Sequence, residues 1–268
     1  MSASTNLRRL IDAATPYWAG EAEVVRTYWT SRQRTRETDR RWLARQCYKE
    51  LLGFGVGGGE LGLFRGPLEE LRHAFPRIDV EIDRHEVLDI AAMLVAEFSH
   101  YCAFADAHDH LAGVGEPKLH PRLLASWAEE DALAQVRRQH IKDHDALGRR
   151  AGQFTEGGYC SLFSEGMRLR DHPTPGHEAS DRLIAAACAR VYDDEFGHML
   201  KGIAGLDEQG FAESDWRTLA EMSVAQLRQR ILMRNGQFGH PVGEARIKEL
   251  LTGHCRPIAF DYERAKIA

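Results

Sequence analysis

Apolar residues recur along most of the chain at i, i+3, i+4, i+7 spacing, and alternation with a period of two is scarce. That pattern predicts an all-α protein. Breakers divide it. A first helix is expected over about residues 16–52, with Pro16 at its start, followed by a glycine-rich stretch over 53–66. Phe75-Pro76 closes the next helical piece, and a long helix spans about residues 83–108. The loop GVGEPKLHP at 113–121 leads into a helical stretch over about 122–170, with a break expected near Gly148 or Gly152. DHPTPG at 171–176 is a tight connection, a helix covers about 180–203, and two shorter helices lie near 214–234 and 243–251. No low-complexity tract or long linker interrupts the series, so one helical domain over 1–268 is expected, with a bundle over about 53–204 at its centre.

Two of these helices carry ionisable side chains where periodicity reserves apolar ones. From Asp83 the core-facing stripe reads Ile90, Met93, Leu94, Glu97, His100, Phe104; from Ser180 it reads Ile184, Cys188, Val191, Glu195, His198. Burying such groups is costly without a partner, and Glu and His three residues apart share one helix face. Each E-x-x-H unit presents one oxygen and one nitrogen to the same point, which suits iron or manganese. Two units facing each other would hold two metals and need one further carboxylate from each of two neighbouring helices.

Hairpin register narrows the search for those carboxylates, because side chains at one height on antiparallel helices sit equally far from their connecting loop. Glu195 lies 15 residues after Ser180, and 15 residues before Asp171 stands Glu156. Glu97 lies 14 after Asp83, and 14 before Ala74 stands Glu60. Glu60 to Glu97 is 37 residues and Glu156 to Glu195 is 39, as a duplicated hairpin would give. Glu60 sits among glycines, each costing about 1 kcal/mol in a helix, so Glu50 and Glu69 stand as substitutes. Glu165 is the alternative or addition to Glu156.

The segments Thr155-Glu156-Gly157-Gly158-Tyr159-Cys160-Ser161 and Asp194-Glu195-Phe196-Gly197-His198 resemble ligand segments of the ferritin-like di-iron carboxylate proteins. The nearest branch holds the small subunit of ribonucleotide reductase and the bacterial multicomponent monooxygenases. The resemblance implies a ferritin-like four-helix bundle with an extra N-terminal helix and C-terminal helices. It also implies a centre of two iron ions, or manganese, held by Glu60, Glu97, His100, Glu156, Glu195 and His198. Reductase subunits that store a tyrosyl radical carry the tyrosine four residues after the second-helix histidine. Here that position is Phe104, which sets the chain apart from them. What the resemblance leaves is oxygen activation: dioxygen reduced by two ferrous ions, and a small organic substrate oxidised by hydroxylation, N-oxygenation or a related step.

Composition changes this picture little. With 43% apolar and 28% charged residues the chain can bury a core. A net charge of −5 excludes the basic footprint of a general nucleic-acid binder. Mean hydropathy is −0.43 and no apolar run near the roughly 18 residues of a bilayer span is read in the chain. The N-terminus lacks a secretory pattern, so a cytoplasmic protein without a membrane partner is expected. Five cysteines form no CxxC, which argues for reduced thiols. Arg32, Arg34, Arg36, Arg40, Arg41 and Arg45 crowd together, interrupted by Glu37 and Asp39. They read first as a solvated face and second as a docking site for an anionic substrate or carrier.

His140 and His144 lie among charges and read as an exposed face, and His108 and His110 as a helix end. Cys160, Phe104 and Phe163 are the candidates for a substrate cavity. Trp18, Trp29 and Trp42 read as packing residues. The expected partners are a small-molecule substrate, dioxygen and an external electron donor such as a ferredoxin or reductase, with a homodimer as the candidate assembly. An iron-binding ferroxidase or storage protein, a di-manganese catalase, and a metal-free bundle whose Glu and His pairs close internal hydrogen bonds are the competing readings.

Overall fold

A computed structural model describes residues 3–52, 67–155, 161–261 and 266–267; the side chains of 67, 194, 196–202, 204, 261 and 266–267 lie outside that description. The described residues are almost wholly helical: α1 (Thr5–Trp29), α2 (Arg36–Leu52), α3 (Pro67–Ala74), α4 (Arg84–His110), α5 (Ala128–Thr155), α6 (Ser161–Met167), α7 (Glu178–Ala204), α8 (Glu213–Gln237) and α9 (Glu244–Leu251). One two-residue strand pair, Phe260–Asp261 with Lys266–Ile267, lies near the C-terminus. Two compact units result, one of Met1–Thr38 with Trp127–Ala268 and one of Asp39–Ser126.

The helix expected over 16–52 is two helices, for reasons carried by hydroxyls. Ser4 caps α1 by accepting from the Leu7 amide at 3.1 Å, so the helix starts well before Pro16. Pro16 then sits inside α1, where its ring nitrogen cannot bond the carbonyl of Asp12. The neighbouring Thr15 hydroxyl donates to that carbonyl instead, at 3.0 Å. At the other end, Thr35 and Thr38 form a reciprocal cap: each backbone amide donates to the other's hydroxyl, at 2.9 and 3.2 Å. This starts α2 afresh after a six-residue gap in helix geometry that hydrophobic periodicity does not register.

In the larger unit α8 packs against both α1 and α5, and α7 packs on α6. Leu7, Ile11, Trp18, Phe154, Leu219 and Ile231 form its core. Trp127 donates its indole N–H to the Met233 carbonyl at 3.1 Å. The expected stripe of α7 is buried at Ile184, Cys188 and Val191. The stretch expected over 122–170 is interrupted at Asp145 (φ 42°, ψ −111°) rather than at a glycine. Gly148 is needed beside that break, since a Cβ there would lie 2.2 Å from the His140 carbonyl oxygen.

Buried charge ties α1 to α8. The Glu21 carboxylate accepts from Arg230 at 2.9 and 3.0 Å and from Arg234 at 2.9 Å. Burial pushes its carboxyl up, but the two arginine charges and their hydrogen bonds outweigh it and hold it below the usual range. Arg34 is likewise internal: its guanidinium pairs with Asp181, donates to Thr174 and lies 4.9 Å from the Trp29 ring centre. Arg36 pairs with Glu37. Arg34 thus serves the fold, while Arg36 stays on the solvated face expected of the cluster.

In the smaller unit, α3 and α4 share a core of Leu71, Ala74 and Val87, with Ile90 and Leu94 against it. Met93, expected on the stripe of α4, is exposed, as are Leu88, Val95 and Phe98. Contrary to the reading of the sequence, α4 is long and apolar enough, by length and composition, to cross a membrane.

Replacing Glu21 by Gln strands two buried arginines and is expected to cost about 3–5 kcal/mol, read from urea denaturation. Lys248→Ala, at an exposed pair with Glu244, is expected to cost less than about 1 kcal/mol. Burial lowers the pKa of both His108 and His140. The unfolded chain therefore takes up protons first, and the stability these groups contribute is complete above about pH 6.5. It is lost as pH falls through the lower folded values, and His140→Asn is expected to flatten that slope in urea midpoints measured between neutral and acidic pH.

Candidate metal centre

Within the smaller unit α2 runs antiparallel to α4, and the side chains meet in register. Trp42 lies edge-on to Phe104, ring centres 6.3 Å apart. One turn further along α2, the Cys47 thiol faces the Tyr101 carbonyl at 3.9 Å. At the next level Glu50 comes opposite His100, Oε2 to Nδ1 3.9 Å. Glu97, one turn before His100 on α4, brings its own Oε2 to 3.6 Å from the same nitrogen. Donor atoms of Glu50, Glu97 and His100 all lie within 4.8 Å of one another.

Amphipathic packing sets the depth of each donor. The His100 side chain is 0% exposed, Glu50 9% and Glu97 24%. The two separations from Nδ1 are too long for good hydrogen bonds. They are close to the edge of a coordination polyhedron, about 3.4 Å for a tetrahedral ion with bonds of about 2.1 Å. Two carboxylates held near each other beside a buried imidazole also repel, and a divalent cation among them removes that cost. Two oxygens and one nitrogen with no sulfur form a donor set suited to iron(II) or manganese(II). Cys47 does not alter the set: burial first, then the charges of Glu50 and Asp109, push its thiol well up, so it stays protonated. The residues fit a metal ion.

Gln46 is buried on α2 and donates its Nε2–H to Oε1 of Glu50. Tyr101, which the stripe of α4 leaves out, is buried beside Cys47 and stacks on Phe98 with ring centres 5.7 Å apart. At the far end of the helix pair the His108 ring nitrogen Nδ1 lies 3.1 Å from Asp109, whose carboxylate also accepts from the Leu119 amide at 2.7 Å. Arg40 pairs there with Glu116 and donates to the Pro117 carbonyl at 3.2 Å.

The structure thus brings together Glu97, His100 and Glu50, the last being one of the two substitutes for Glu60. Glu60 itself lies outside the described residues, as do Glu156 and Cys160. Glu69 is on α3, exposed and paired with Arg72 and His73. Glu165, the alternative to Glu156, is committed to the fold: it accepts from Arg26 at 2.6 Å and pairs with Arg168 at 3.4 Å. Glu195 is half-buried on α7 in the larger unit, and the His198 side chain is outside the description. Phe104 and Phe163 are both buried, the first against Trp42 and the second on α6. His140 is half-buried rather than exposed, its Nδ1 3.0 Å from the Gln226 amide nitrogen, which ties it to Thr155 through Gln226 Oε1 at 2.6 Å.

A divalent ion that binds only the folded chain stabilises it, by about 2.7 kcal/mol at a hundredfold excess over Kd. Ferrous or cobaltous ion is therefore expected to raise the thermal midpoint of the wild-type chain, and His100→Ala is expected to abolish that rise. No protein-family model matches the chain, and no curated protein or solved structure matches it either.

Proposed function

We propose that the protein is a non-haem iron oxidoreductase that sets dioxygen against a small organic molecule, with Glu50, Glu97 and His100 as ligands of a catalytic metal. The observation that carries this is the convergence of two carboxylates and one imidazole from two antiparallel helices on one partly buried point. A ligand set of three protein donors leaves at least one position on the ion for dioxygen or substrate. When bound, the metal supplies the electrons and Lewis acidity that reduction of dioxygen requires.

The chain's own residues do the rest. Glu50 and Glu97 balance the charge of the ion, and His100, fully enclosed, holds the position of one donor. Trp42 and Phe104 keep the adjoining interior dry. The protonated Cys47 offers no competing thiolate.

A second iron would be carried by Glu195 and His198 of α7. The ferritin-like, two-metal form of the proposal draws on that second E-x-x-H unit and on the resemblance of residues 155–161 and 194–198. An external electron donor of the ferredoxin or reductase class would restore the ferrous state between turnovers.

Full-length protein loaded with ferrous iron without air is expected to retain about one metal per chain, or about two if α7 is also loaded, and to consume dioxygen when air is admitted. Loss of a ligand exceeds the roughly 10–100-fold cost of losing a supporting residue. Glu97→Ala and His100→Ala are therefore expected to lower oxygen consumption by more than about 100-fold. Retention of less than about one iron per chain by the wild type overturns the proposal.

A further inference from the structure

We infer that Gln46 sets the coordination mode of Glu50, holding it as a one-oxygen ligand and keeping an additional position on the metal open. The inference rests on metal occupancy of the Glu50, Glu97 and His100 site. Gln46 stands one helical turn before Glu50 on α2 and is 2% exposed. Its Nε2–H donates to Oε1 of Glu50, whereas it is Oε2 that lies 3.9 Å from His100 Nδ1. The two oxygens of one carboxylate are thus divided between two tasks.

Carboxylates bind metals through one oxygen or through both. A carboxylate whose second oxygen is already engaged by a buried amide gives up a hydrogen bond to chelate, and that loss is expensive away from water. Three one-oxygen or one-nitrogen donors occupy three positions on the ion. Chelation by Glu50 would fill a fourth, at the expense of dioxygen or substrate.

The burial of Gln46 points the same way. Trp42, Leu43 and Cys47 surround it in sequence on the buried side of α2. An apolar side chain of similar length would fill such a place without the cost of burying an amide. One N–H of that amide is committed to Glu50 Oε1. Gln46 is a positioning residue: it acts on the metal through Glu50.

Cobalt(II) serves as the probe, because its visible bands weaken as coordination number rises. Wild-type protein, Gln46→Leu and Gln46→Asn are titrated with cobalt as full-length chains, with far-UV circular dichroism recorded for each. The shorter Asn amide stops one methylene short of the Glu50 carboxylate, so it carries the comparison where the Leu variant does not fold. The expected result is cobalt affinity reduced about 10–100-fold, with fainter visible bands in the variants as Oε1 joins the metal. A merely structural role for Gln46 would lower affinity without weakening the bands of the saturated protein, and that result overturns the inference. Variants matching the wild type in both affinity and spectrum overturn it as well, while leaving the proposed function in place. A wild-type chain that binds neither cobalt nor iron overturns both.

Discussion

The antiparallel register of α2 against α4 is the constraint on which the candidate site depends. It is set by apolar packing, Trp42 against Phe104, and extended by the Cys47 thiol under the Tyr101 carbonyl. Helices present a new level about every turn, so once those two levels are matched the next one is fixed. Beside the Cys47–Tyr101 level stand Glu50, three residues on along α2, and His100, next to Tyr101 on α4, with Glu97 a turn away. The polar groups did not need to find one another. Their place follows from hydrophobic contacts formed elsewhere along the pair, which supply the free energy that holds two carboxylates and an imidazole in a costly arrangement.

Much of the helical layout was legible in the residues. The ends of α4, α7, α8 and α9 fall close to where caps and breakers put them, because Asp83 caps α4 and glycine or proline marks the loops. What escaped was set by hydroxyls and by tertiary contact. The Thr35 and Thr38 cap that starts α2 has no apolar signature, and Pro16 looks like a helix start until Thr15 is seen taking over the freed carbonyl. The break at Asp145 falls in a charged stretch with no glycine at that position. The apolar length of α4 lies between Ile90 and Ala105, where Glu97, Ser99 and His100 interrupt it and hide it from a search for an unbroken apolar run.

The site was legible to a different degree. Glu97 and His100 stand out as ionisable groups on a buried stripe, and the structure buries His100 fully. Counting from hairpin loops led to Glu60 because it took the segment before Ala74 as the partner of α4 at that height. Glu50 comes from α2, a helix whose phase could not be read while it was fused to α1. The signal that would have found it is the run Asp39, Leu43, Gln46, Glu50, in which polar side chains share a face with core residues. The second E-x-x-H unit lies on α7 in the other compact unit, and its Glu195 is half-buried on a helix whose Val191 is fully buried.

The graded depth of the three donors has a kinetic side. An ion arriving from water would meet Glu97 first, at 24% exposure, then Glu50, and only last the wholly enclosed His100. Departure would run the same path backwards, and the enclosed His100 would be freed only when the two helices part. Residence time would then follow the breathing of that helix pair. A chelator in solution would strip the protein at a rate insensitive to its own concentration, and filling the site while the chain is still folding would be the quickest way in.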